Sequence, residues 1–207
     1  VLGFYFLKET GNWTVKEEKA IKAWFQSFLT WMTTSEKGLD EKIHGNNHST
    51  WWAAQVATFA SFVGEDKTLN EVWDLFRDFL VPHQIQPDGS SPREEARTKS
   101  FSYSIMNLDG FSYIAHIAQM NGVDLWNFKL DNGAGLVKVL EYLVPFYKNP
   151  EKWTKKQISP IKISRRTFLV FAGLDFDNPE YHELYLSAPP TNQPEHILFD
   201  MMIKLKQ

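Results

Sequence analysis

The sequence predicts an all-α fold, an incomplete (α/α) toroid or barrel built of antiparallel helix pairs. Three observations carry this. Apolar residues recur at helical spacing in one run after another. Period-2 alternation is almost absent, so few strands or none are expected. Long polar loops join the helical runs, and a simple bundle, the runner-up architecture, seldom carries such loops. The chain has 207 residues, 43% of them hydrophobic and 15% aromatic, enough for a sizeable core. Residues 1–207 are read as a single domain.

The chain begins at Val1, and the run Leu2-Gly3-Phe4-Tyr5-Phe6-Leu7 is too short to span a membrane and lacks the basic start of a signal peptide. It reads as the end of a helix, so a fragment lacking its N-terminal helices is expected. Thr14-Val15-Lys16-Glu17 is a capping box. Ile21, Trp24, Phe25, Phe28, Leu29 and Met32 then trace a helical face that ends near Thr34. Ser35 to Gly45 reads as a polar connection. A helix from about His48 to Val63 carries Trp52, Gln55, Val56, Phe59, Ala60 and Val63 on one face, and Gly64 ends it. Thr68-Leu69-Asn70-Glu71 is a second capping box, opening a helix that Pro82 stops. Gln84 to Pro92 is a loop of turn formers. Helical pattern resumes from roughly Glu94 to Met120, with Gly110 as a kink or break and Gly122 as terminator. Ala134 to Tyr147 is a shorter helix. Glu151 to Ser164 is loop-like and basic. Ser164 is placed as the cap of a helix through Gly173, the proline-rich stretch from Pro179 to Pro194 as irregular, and a last helix over Glu195 to Lys206.

Net charge is −3, which gives no nucleic-acid footprint, and no run approaches transmembrane length. Neither nucleic acid nor membrane is expected as a partner, and oligomeric state is open. With no cysteine, disulfides and thiolate metal sites are excluded. Eight Trp and sixteen Phe suit a core of large side chains, and also a cleft whose indoles stack on pyranose rings.

Two polar clusters stand out. Gly45-Asn46-Asn47-His48-Ser49-Thr50-Trp51-Trp52 joins an amide pair, an imidazole and two indoles. Gln86-Pro87-Asp88-Gly89 through Pro92, Glu94, Arg97 and Tyr103 adds a guanidinium and a phenol. Together these are the groups for removing a proton from a carbon beside a carboxylate. β-Elimination on an acidic sugar requires that the carboxylate be neutralised, that a base take the C5 proton and that an acid protonate the departing O4. Asn47 can donate to the carboxylate. Arg97 can offer its fork to it, or place a positive charge beside a phenol. His48 can neutralise or act as base, and Tyr103 can act as acid or, in a syn elimination, as both. No metal or cofactor is needed. Arg97 and Tyr103 lie 103 − 97 = 6 residues apart, about 120° out of alignment on a regular helix, so Arg97 must sit at a helix entrance to meet Tyr103.

Asn46-Asn47-His48-Ser49-Thr50-Trp51 resembles the NNH-x-x-W signature of alginate lyases of the α/α-toroid type. Asp88-Gly89-Ser90-Ser91-Pro92-Arg93-Glu94-Glu95-Ala96-Arg97 and the following Tyr103 resemble that family's DG-x-x-P-x-E-x-x-R segment and its downstream Tyr. The interval 103 − 48 = 55 is similar to the family's His-to-Tyr separation. The resemblance covers about Trp24 to Trp126. It implies a polysaccharide lyase with Asn47, His48, Arg97 and Tyr103 as catalytic groups, and an acidic polysaccharide as substrate. It also implies a bacterial periplasmic or secreted location and a longer parent chain with further N-terminal helices. Arg-Thr-Lys-Ser-Phe-Ser-Tyr differs from the His- and Arg-rich version of periplasmic polymannuronate lyases, which suggests a divergent branch acting on alginate, glucuronan or another polyuronate. Trp51, Gln86, Asn46 and His83 are the candidate sugar contacts.

Each residue also has a plainer reading. Asn before a helix is a good cap, and a lone Arg or Tyr on a helix is usually solvated or half-buried. Glu94 reads as a structural partner of a nearby Arg or as a helix-N-terminal charge. Trp51 and Trp52 differ by about 100°, so one packs inside while the other faces the cleft. His83 and Gln86 also fit a solvated loop, and His116 a satisfied core imidazole. Lys152, Lys155, Lys156, Lys162, Arg165 and Arg166 form a basic region, either solvated or polyanion-attracting. Asn12-Trp13-Thr14 and Asn47-His48-Ser49 are glycosylation sequons, and a glycan on Asn47 would block the site. A glycoside hydrolase, with Asp88 and Glu94 as its carboxylates, and a non-catalytic carbohydrate-binding module are the competing functions.

Overall fold

The computed structural model describes Gly3, Gly11 and residues 13–206, with backbone alone at 205 and 206. The helix end expected over residues 2–7 lies, Gly3 apart, outside the described residues, as does Asn12. The described residues form eleven α-helices and no named strand. No helix among them is long and apolar enough to cross a membrane.

Helix α1, Val15–Thr34, starts on the expected capping box: Glu17 N–H donates to Thr14 Oγ1 and Thr14 N–H to Glu17 Oε2. Its apolar stripe is buried at the C-terminal end, where Leu29 and Met32 enter the core, while Trp24 stays 58% exposed. The segment after it is not a loop. Ser35 closes α1 and caps a second helix, α2, Glu36–Ile43, by accepting from the Gly38 N–H. Gly38 lies against the Met32 carbonyl so closely that a Cβ would come within 2.0 Å of its oxygen. Backbone proximity, not an apolar face, seats α2.

Helix α3, Asn47–Val63, is the centre of the fold. It packs on α1 and α2, on α4, Asp66–Leu75, and on the long helix α7, Ser100–Met120. Trp52, Ala53, Ala54, Val56, Ala57 and Ala60 are buried, and Gly64 ends the helix in the left-handed region. Helix α4, Asp66–Leu75, has Glu65 at its cap position with no side-chain cap bond, three residues before the expected cap Thr68. It widens into a π-helical turn, Phe76–Leu80, where the Val81 N–H reaches back to the Phe76 carbonyl, and continues as α5, Val81–Gln84. Pro82 therefore does not stop the helix. The i→i+5 register shifts the ladder away from the proline ring, and no donor is missed at the second position of a turn. Buried Gln84 then accepts from both Thr50 Oγ1 on α3 (3.1 Å) and Asn107 Nδ2 on α7 (3.0 Å).

The expected Glu94–Met120 helix is two helices, α6, Pro92–Glu95, and α7, Ser100–Met120, separated at residues 96–99 and continuous through Gly110. Gly110 instead permits close packing, since a Cβ would lie 3.0 Å from Thr50 Cγ2 and 3.4 Å from the Trp51 ring. The basic 151–164 segment clamps the start of α7. Lys156 O accepts from Ser100 N–H, Gln157 Oε1 from Phe101 N–H, and Ser100 Oγ from Trp153 Nε1. Helix α8, Leu136–Lys148, lies against α7. Helix α9, Thr167–Asp175, also packs on α7, and it starts at Arg166 instead of Ser164. Helix α10, Pro179–Ser187, runs where irregular chain was expected: Pro179 is its first residue and Asn178 Oδ1 caps the Glu180 N–H. Helix α11, Glu195–Lys206, has the expected bounds.

The loop before α6 depends on Gly89, whose φ is +87° and whose added Cβ would meet the Lys138 carbonyl oxygen at 2.0 Å. Gly89→Ala is expected to destabilise the protein by about 2–4 kcal/mol, from left-handed strain plus displacement of backbone. Thermal unfolding of the variant checks this.

Candidate active site

Asn46 caps α3, accepting the His48 N–H on its side-chain oxygen at 3.0 Å. This leaves Asn47 as the first helical residue. Asn47 is buried, and two of its three N–H hydrogens go to one carboxylate: its backbone N–H meets Glu94 Oε1 at 2.7 Å and its Nδ2 meets Glu94 Oε2 at 2.8 Å. Glu94 thus holds the N-terminus of α3 with Arg97 nearby, as its plainer reading expected, and it is also the pin between the two sequence clusters. It also settles the orientation of the Asn47 amide, because a carboxylate only accepts. Burial pushes the Glu94 carboxyl above its ordinary range, opposed by the two Asn47 hydrogen bonds, by the nearby positive charge of Arg97 and by His48 whenever its ring is protonated. Buried and bonded, Asn47 has no room for a glycan.

Arg97 sits in the break between α6 and α7, outside either helix, so the regular-helix misalignment does not apply. Its guanidinium lies 4.1 Å from the centre of the Tyr103 ring. His48 projects from the first turn of α3, with Nδ1 2.8 Å from Glu41 Oε2 and its ring 4.8 Å from that of His44. Glu41 comes from α2, a helix that sequence reasoning had taken for a loop, and no motif singled it out.

Asn47, His48, Trp51 and Gln55 of α3 line a groove of about 530 Å³, together with Phe28 and Trp31 of α1 and Glu41 of α2. Trp51 also borders a second groove of about 470 Å³, formed with Ser102, Tyr113, Arg166 and His196. Trp52 is buried, with Nε1 on the Met32 carbonyl, and meets the first groove only at its edge, whereas Trp51 is half-buried and lines both grooves. Burial pushes the Tyr113 phenol up to about 12.

The structure brings Asn47 to Glu94 and Arg97 to Tyr103, and sets His48 and Arg97 within electrostatic reach of the same carboxylate. His83 and Gln86 are not gathered there. His83 bonds the Phe79 carbonyl at 2.9 Å with its ring tilted 36° against that of Phe79, Gln86 is an exposed loop residue, and neither lines the groove, nor do Arg97 and Tyr103. Asn46 is engaged as a cap. Much of the basic region is paired, Lys155 with Glu95, Arg165 with Asp200 and Arg166 with Asp109. His116 is satisfied by Asp175, which also accepts from Trp126 Nε1. Asp88 is taken up by its own turn, accepting from Ser90 N–H and Oγ. With Glu94 pinned to Asn47, these two carboxylates do not face each other across a cleft as a hydrolase pair.

The alginate lyase family model matches residues 2–153. Alginate lyases of Pseudomonas syringae pv. tomato and Pseudomonas fluorescens are each 27% identical over 188 residues, covering 87% of this chain and 46% and 47% of theirs. That of Cobetia marina is 28% identical over 143 residues. The crystal structure of an alginate lyase from Bacteroides ovatus superposes with a TM-score of 0.78 at 27% identity, over 90% of this chain and 50% of that one. The chain spans about half the length of the curated relatives it matches. The same helical fold, an α/α toroid in that solved structure, now accompanies a family match across the segment that holds the Asn-Asn-His turn and the Arg97–Tyr103 pair, and the chain belongs to the alginate lyase family.

Proposed function

We propose that this chain carries the catalytic groups of a polysaccharide lyase that cleaves β-1,4-linked uronate polymers by β-elimination, leaving 4,5-unsaturated ends. The observation that supports the reading is the Asn47–Glu94 pin, which ties the Asn-Asn-His turn to the segment that carries Arg97, whose guanidinium lies against the Tyr103 ring. One Asn47 amide hydrogen is spent on Glu94. The second is left to meet the sugar carboxylate, with Arg97 adding positive charge. His48 or Tyr103 takes the C5 proton, and the phenol of Tyr103 supplies a proton to O4 as the C4–O4 bond breaks. Trp51 and Trp31 flank the groove with indole faces suited to pyranose rings. Mannuronate, guluronate and glucuronate polymers share this reactive unit and are all candidates, and a bacterial periplasmic or secreted location goes with such substrates.

Incubation with polymannuronate, polyguluronate and glucuronan, with ultraviolet absorbance of the new C4=C5 bond as readout, tests the reading. At least one polymer is expected to give absorbance. Reducing ends without absorbance would indicate a hydrolase, and binding without either product would leave a carbohydrate-binding module.

A further inference from the structure

We infer that Glu41 is a positioning residue for His48 and assigns to its ring the role of base. The inference rests on the lyase reading above. Glu41 Oε2 lies 2.8 Å from His48 Nδ1, and an ionised carboxylate only accepts. The Nδ1 nitrogen therefore carries hydrogen, and in the neutral ring Nε2 keeps its lone pair. Among the described residues Nε2 has no hydrogen-bond partner, while His48 itself lines the groove. When Nε2 takes the C5 proton, the C–H electron pair becomes the C4=C5 bond. The C4–O4 pair leaves with O4, which is protonated by Tyr103. The resulting imidazolium sits against the Glu41 charge, which lowers the energy of the proton-transfer state.

The corner that holds this pair is braced. Ser49 Oγ donates to the Glu41 carbonyl at 3.0 Å and accepts from Gly45 N–H at 2.8 Å, and Arg93 Nη1 donates to the His44 carbonyl. The other charged or titratable groups around the ring are His44, its ring tilted 34° against that of His48, Lys37 and Asp40 on the same groove, and Glu94 behind Asn47. Of these, Glu41 alone is within hydrogen-bond distance of a His48 ring nitrogen among the described residues.

Long-range proton–nitrogen NMR of the His48 ring tests the assignment directly, in the wild type and in Glu41→Gln and Glu41→Ala. The wild type is expected to show the Nδ1–H tautomer. Glu41→Gln, whose amide oxygen can still accept, is expected to keep it, and Glu41→Ala to lose it. Glu41→Ala is expected to lower kcat by about 10–100-fold, with KM little changed, with partial recovery in Glu41→Gln and no further loss when added to His48→Ala. An unchanged tautomer in Glu41→Ala, or equal losses in kcat from Glu41→Ala with and without His48, would overturn the inference. If the wild type forms no unsaturated ends on any polyuronate, the lyase reading fails, and the tautomer measurement still decides whether Glu41 sets the ring.

Discussion

Tyr103→Phe is expected to cut the formation of unsaturated ends by about 10²–10⁴-fold, the usual worth of a positioned proton donor. The substitution removes one oxygen. The ring stays, and with it the contact to the Arg97 guanidinium at 4.1 Å, so thermal stability and helical content should stay near wild type. His48→Ala is expected to cause a loss of similar size. Its side chain is 44% exposed, so little packing goes with it. A purely structural role for either residue predicts the reverse pattern, lost stability with activity in proportion to folded protein. Steady-state rates together with circular dichroism separate the two, and a variant of either residue at full rate would remove its assigned role.

Glu94→Ala is expected to reach both stability and rate. It leaves the Asn47 N–H and Nδ2 buried without their acceptor, at ~1–3 kcal/mol for each stranded donor, less the carboxylate's own burial penalty, for a net loss of about 2–4 kcal/mol. With the amide released, misplacement of the Asn-His turn is expected to cost about 10²-fold in rate. The sign of the pH effect also follows. Burial raises the folded-state carboxyl above its ordinary 4.5, so the folded form binds the proton more tightly than the unfolded one. This group therefore makes stability fall as pH rises from about 4.5 to the folded-state value, and flat beyond it. Glu94→Ala should lack that slope. Denaturant melts over a pH series measure it.

The long helices were legible because sequence carries their signals locally. Thr14 and Glu17 mark the start of α1, Gly64 the end of α3, and a polar-apolar pattern the whole of α11. What escaped depends on tertiary contact. Leu39 and Ile43, the apolar residues of α2, are both exposed, so no periodic stripe announces a helix held by Gly38 against Met32. With α2 went Glu41. Pro179 after Asn178 was a readable helix start, but it was taken for a breaker among its neighbouring prolines. Glu94 was noticed, yet a partner 47 residues away is invisible to any local rule. The Arg97–Tyr103 contact was computed as misaligned because the break at residues 96–99 depends on the 151–164 segment, which supplies the caps of α7 from far along the chain.

The π-helical turn at Phe76–Leu80 holds one residue more than an ordinary turn would, and everything after it inherits that phase. Shortening it by a single residue would rotate the following turn by about 100° and carry Gln84 away from Thr50 and Asn107. The helices bearing His48 and Tyr103 would then lose the acceptor they share, although every residue of the groove was still encoded. A one-residue deletion outside the groove lining is therefore expected to disturb how those two helices meet without altering any groove side chain.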